Sequence, residues 1–162
     1  MITEYLYGAY GSNLNIGQMR FRCPDATPLG SFNLIGWKLV FRNVADIERC
    51  DNSSVPIGVW RITESCEEAL DVYEGYPRLY GKELLQINNI EEAFGSNQLM
   101  IYTMNDQNRI GNPSPSYYDT IANGYEDFDI DPMPLAIAKQ DTSERVAKLL
   151  PESFRFPIGS GR

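Results

Sequence analysis

The chain contains no histidine. Any proton transfer it catalyses must therefore run through Glu, Asp, Tyr, Lys or water. Ser-His-Asp and Cys-His nucleophilic sites are excluded, as is every zinc site that needs imidazole. The carboxylate best placed for such work lies in TESCEEALDVYEGYPRLY, Thr63 to Tyr80. Ser65 and Glu68 have the spacing of a capping box and predict a helix beginning there. Gly75 stands where a left-handed C-terminal cap belongs, and Pro77 prevents continuation. Cys66, Leu70 and Glu74 fall at i, i+4 and i+8 on one stripe, shared by Ala69 and Tyr73, whereas Glu67 and Asp71 point away. Glu74 is thus expected on the inward face, at the negative end of a helix dipole. Repulsion from Asp71 and partial burial among Tyr73, Tyr76 and Tyr80 would raise its pKa towards the range of a general base at neutral pH. Spacing alone equally allows a surface carboxylate just before a helix cap.

A second stretch, LYGAYGSNLN from Leu6 to Asn15, begins as a strand and breaks at Gly11, Ser12 and Asn13. One reading is a plain turn in which Ser12 or Asn13 caps the following helix. The other is an anion-binding loop: Gly11 allows close approach, successive amides from Gly11 to Leu14 point at one oxygen, and the next helix adds its positive end.

The elements that must position these residues are short strands and a few helices. Strands are expected at Tyr5–Tyr10, Phe32–Phe41, Val55–Ile62, Tyr80–Ile87 and Gln98–Met104, each rich in β-branched or aromatic residues and bounded by Gly, Pro, Asn or Ser. Helices are expected at about Asn15–Arg22, Ser65–Glu74 and Ser143–Leu150, with another within Ser116–Asp127. At 162 residues, 43% hydrophobic and 12% aromatic, the chain has the size and composition of one globular domain. That domain is expected over 1–157, followed by a frayed tail at 158–162. Strands interleaved with helices give an α/β or α+β architecture, with a curled sheet or small barrel.

Three segments in order, YGAYGSNL (Tyr7–Leu14), LDVYEGYPRLY (Leu70–Tyr80) and PSPSY (Pro113–Tyr117), resemble the γ-glutamylcyclotransferase family. Its signature is a Y-G-S-N-L loop after the first strand, a downstream E-G pair with a Tyr a few residues on, and a later S-P-x-Y. The resemblance covers most of the chain. It implies an α+β fold, a compact mixed β-barrel with a few flanking helices and a cavity at one side. It also implies release of a γ-glutamyl group as 5-oxoproline, the substrate's own α-amine attacking its γ-carbonyl while the attached amine leaves. Carried over residue by residue, Glu74 is the general acid/base, Tyr10, Gly11, Ser12, Asn13 and Leu14 form the substrate loop, and Tyr80 and Tyr117 are pocket tyrosines. No metal or cofactor is required by this chemistry. YEGYP with Arg78 is closer to the γ-glutamylamine branch than to the glutathione-pathway enzyme, whereas G-S-N-L departs from that branch's usual loop. The alternatives are a cyclotransferase of γ-glutamylamine or tailoring type acting on another conjugate, and a non-catalytic relative that binds a small ligand.

The formal net charge of −8 argues against a nucleic-acid partner, and no apolar run is long enough to span a bilayer. A small-molecule γ-glutamyl substrate is the expected partner, for a monomer or homodimer. Cys23, Cys50 and Cys66 are odd in number without paired spacing, so reduced, mostly buried thiols and a cytoplasmic setting are expected.

Overall fold

Five strands form one sheet in the computed structural model, which describes residues 2–151; the tail expected at 158–162 lies outside the described residues. The strands are β1 (Glu4–Ala9), β2 (Thr27–Arg42), β3 (Val44–Thr63), β4 (Tyr80–Gln86) and β5 (Gln98–Met104). All five expected strands are present, but β2 and β3 run far beyond the apolar segments that mark them. Together they form one long hairpin turned at Asn43, whose left-handed φ of 66° suits asparagine. The ladder carries polar residues such as Asp46, Glu48 and Ser54, paired with Val40, Lys38 and Ile35, because pairing with a long partner overrides local preference.

The strand order is β2-β3-β1-β5-β4. β1 lies in the middle, antiparallel to β3 and parallel to β5. The α+β class is as expected, but the sheet is not closed into a barrel. Its edges, β2 and β4, border a cleft of about 660 Å³. Side chains such as Phe32, Trp37 and Leu85 face it where a closing ladder would run.

The helices are α1 (Ile16–Arg22), α2 (Glu64–Glu74), α3 (Glu91–Phe94), α4 (Pro115–Asp127) and α5 (Met133–Leu149). Thr63, not Ser65, caps α2, its hydroxyl accepting from Cys66 N–H. Ser114 caps α4, with Pro115 in the first turn, where a missing N–H costs nothing. α5 begins ten residues before the expected start, since Pro134 lies in its first turn and there a proline is tolerated. Leu70, Ile57, Ile62, Leu99 and Ile101 are fully buried at the sheet and its helices. Trp60 and Trp37 are buried as expected. Cys23 and Cys66 are buried free thiols, and Cys50 is half-buried. No described helix is long and apolar enough to cross a membrane.

Candidate active site

The central strand β1 delivers the chain to a 3-10 turn at Ser12–Leu14. Leu14 N–H donates to Gly11 C=O and Asn15 N–H to Ser12 C=O, both at 3.0 Å. The amides of Gly11, Ser12 and Asn13 precede those bonds. Among the described residues they meet no protein acceptor, as at the start of any helical turn. Capping of α1 falls to Asn15, whose side chain accepts from Gln18 N–H. The turn is pinned from below by Leu14, which is fully buried. Leu14 was expected in the substrate loop, but it does not line the cavity described next. It packs instead against Gly124 of α4, where an added Cβ would lie 2.6 Å from the Leu14 carbonyl carbon.

Asn13 is the hub of the turn. Its Nδ2 donates to Tyr7 OH at 2.9 Å and to Glu74 Oε1 at 3.2 Å. Its Oδ1 accepts from Arg22 Nη1 at 2.8 Å. Its backbone carbonyl accepts from Trp60 Nε1 at 3.0 Å. Ser12 Oγ and Tyr73 OH are 2.9 Å apart, so the turn after β1 and α2 are tied together twice.

Glu74 is the last residue of α2, and Gly75 ends the helix in the left-handed region at φ 66°, its N–H shared by the Asp71 and Val72 carbonyls. The carboxylate is partly buried and lines the cavity. Burial pushes its pKa up to about 7, and Arg22 acts in the opposite direction. Asp71 and Glu67 were expected to point away from the fold. Asp71 instead accepts from Tyr102 OH at 2.6 Å, and Lys82 Nζ lies 3.0 Å from it. Glu67 accepts from Tyr5 OH and from Lys82 at 2.7 Å. Asp71 is thus paired with Lys82, which it shares with Glu67, and burial rather than repulsion from Asp71 is what lifts Glu74.

The tyrosines are set by a residue of no distinctive chemistry. Tyr80 OH donates to Ala45 C=O at 2.6 Å, and Ala45 N–H donates to Tyr117 OH at 3.0 Å. Ala45 stays in place because the hairpin end is anchored by a buried pair, Arg42 Nε to Asp46 Oδ2 at 2.7 Å. Tyr10 OH donates to Tyr102 C=O at 2.6 Å. The loop 75–79 closes one side, with Asn105 Nδ2 donating to the Pro77 and Arg78 carbonyls.

Tyr10, Gly11, Ser12, Asn13, Glu74, Tyr80 and Tyr117 all line one cavity of about 190 Å³. Tyr7, Tyr73, Tyr102, Ala45, Val44 and Leu79 complete the wall, and none of the lining residues is cationic. The volume is below the ~300–1,000 Å³ of drug-sized sites, which suits an amino-acid-sized group. Tyr7 and Tyr73 lie inside the segments that carry the motifs, so proximity to them was their signal. Ala45, Tyr102 and Arg22 have none, because topology alone brings them here. A carboxylate pushed up to about 7, lining one small phenol-walled hollow with the residues of a helical-turn start, is a group able to exchange a proton with a bound amine.

The family model described as gamma-glutamyl cyclotransferase, AIG2-like, matches residues 7–142. A solved structure of a gamma-glutamyl cyclotransferase is similar at 20% identity and a TM-score of 0.70, over 90% of this chain and 99% of the other. An uncharacterized protein from Homo sapiens is similar at 23% identity and a TM-score of 0.69, over 97% and 94%. YkqA from Bacillus subtilis is similar at 20% identity and 0.67, over 87% of this chain and 55% of the other. No curated protein matches the sequence.

Proposed function

We propose that this chain, which belongs to the gamma-glutamyl cyclotransferase, AIG2-like family, cyclises the γ-glutamyl group of a small amine or amino-acid conjugate to 5-oxoproline, with Glu74 as general acid/base. The observation that carries this reading is the Glu74 carboxylate at about 7 on the cavity wall, held by Asn13. An α-ammonium cannot attack a carbonyl. Its pKa is roughly 8 and that of an ordinary Glu about 4.3, so proton transfer to such a Glu costs about 5 kcal/mol. At about 7 the gap shrinks to roughly one unit, or ~1.4 kcal/mol.

In the proposed sequence, Glu74 takes a proton from the α-ammonium, and the freed amine nitrogen bonds to the γ-carbonyl carbon. The carbonyl electron pair moves onto oxygen, where the amides of Gly11, Ser12 and Asn13 stabilise the charge. Collapse re-forms the carbonyl and breaks the bond to the leaving nitrogen, which receives the proton held by Glu74, while the ring nitrogen, left with two protons by the attack, gives one up to water. The products are 5-oxoproline and the free amine. Attack is intramolecular, so holding the substrate folded supplies much of the acceleration. Tyr10, Tyr80 and Tyr117 shape the wall around the γ-glutamyl group.

The test is 5-oxoproline release from a panel of γ-glutamyl amino acids, peptides and amines. Wild type is expected to turn over at least one class and Glu74→Gln none. Equal rates for the two proteins would remove Glu74 from the mechanism, and ligand binding without release would favour a non-catalytic binding protein.

A further inference from the structure

The geometry points to Arg22 as a positioning residue for this site: from the end of α1 it fixes, through Asn13 and Tyr73, the side chains that hold Glu74 and Ser12. This inference rests on the reading of Glu74 as the acid/base. A carboxamide has nearly the same shape when flipped, but its chemistry inverts. Flipped, Asn13 would turn Oδ1 towards the Glu74 carboxylate and set two acceptors face to face. A guanidinium can only donate, so Arg22 Nη1 at 2.8 Å from Oδ1 admits one orientation, with Nδ2 towards Glu74 and Tyr7. Arg22 is itself pinned, with Nη2 on Gln18 Oε1 at 2.5 Å and its Cζ 3.6 Å from the Tyr73 ring centroid. That stack braces the ring whose hydroxyl meets Ser12. Arg22 does not line the cavity and so acts through its neighbours.

The titratable groups that line the cavity with Glu74 are all phenols. They are Tyr7 and Tyr10 at β1, Tyr73 on α2, Tyr80 on β4, Tyr102 on β5 with Asp71 behind it, and Tyr117 on α4. Asp46 lies behind the hairpin end, paired with Arg42. Arg22 is the cation that opposes burial at Glu74.

The experiment is a carbon-13 NMR titration of Glu side-chain carboxyls, with the Glu74 resonance assigned from Glu74→Gln, in wild type, Arg22→Met and Arg22→Lys. It is read alongside kcat and KM for 5-oxoproline release. Arg22→Met should raise the Glu74 midpoint by about half a unit or more and lower kcat ~10-fold or more, with KM changed less than about threefold. Arg22→Lys, which keeps the charge but loses the fork, should return the midpoint to the wild-type value while kcat stays reduced. A folded Arg22→Met with an unchanged midpoint would overturn the inference. If Arg22→Met fails to fold, Arg22→Lys decides, and wild-type kcat there overturns it. If wild type releases 5-oxoproline from no compound, the proposed reaction falls while the NMR midpoints still decide what Arg22 does to Glu74.

Discussion

Replacing Glu74 by Gln should abolish turnover and yet stabilise the folded protein above neutrality. The carboxyl has an ordinary value of 4.5 and rises to about 7 in the folded state. The folded protein therefore binds this proton more tightly than the unfolded chain, and between those values stability falls as pH rises. Below 4.5 the group is protonated in both states and costs nothing; above about 7 it is ionised in both, and the whole cost is carried. A gap of about 2.5 units corresponds to about 3.4 kcal/mol at ~1.36 kcal/mol per unit. Water reaching the partly buried group reduces this, so ~2 kcal/mol is expected at pH 8. Glutamine keeps an oxygen for Asn13 Nδ2, which donates at 3.2 Å. Urea unfolding should find the variant about 2 kcal/mol more stable at pH 8 and within ~0.5 kcal/mol at pH 4.5. Glu68→Gln, at an exposed position of the same helix, controls for loss of one negative charge. Equal stability of Glu74→Gln and wild type at pH 8 would refute burial as the source of the raised pKa, and with it the suitability of this group as a base near neutrality.

The pH profile of kcat/KM should show an acid limb with its midpoint at about 7, because only ionised Glu74 can take the ammonium proton; a limb at 4–5 would mark a solvated carboxylate. Tyr117→Phe leaves Ala45 N–H without the acceptor it has at 3.0 Å and should cost about 1–3 kcal/mol in denaturant unfolding. In steady-state kinetics the same variant should raise KM more than it lowers kcat. Gly124→Ala forces a Cβ to within 2.6 Å of the Leu14 carbonyl carbon and 2.7 Å of Asn15 N. Since backbone must shift, calorimetry should show a loss of about 1–3 kcal/mol, and 5-oxoproline release should fall with it.

Local signals in the sequence locate the strands and the two ends of the site. The Gly75 cap and the Cys66–Leu70–Glu74 stripe place the carboxylate, and the break after Tyr10 places the turn. Local signals fail where tertiary pairing dominates: the polar half of β3 follows from its partner, and Thr63 rather than Ser65 caps α2. Barrel closure could not be read from strand count, because five strands stack in the same order whether or not β2 and β4 meet. Leu14 shares the loop motif with Gly11–Asn13, but the helical turn rotates its side chain into the core. Ala45 and Arg22 carry no readable mark. One acts only through its backbone, and the other through a carboxamide nine residues earlier in the chain.

Loop 75–79 joins α2 to an edge strand, whereas the unused amides lie at the end of the central one. Tyr76 and Leu79 within it are 40% and 43% exposed, and Asn105, just after β5, clips its Pro77, Arg78 and Leu79 carbonyls. In the proposed reaction this separates grip from selectivity: recomposing residues 76–78, which do not line the cavity, would alter the rim beside Leu79 while Gly11, Ser12 and Asn13 stay in place. An engineer seeking a new repertoire of conjugates would graft variants of that short segment and leave every other strand alone.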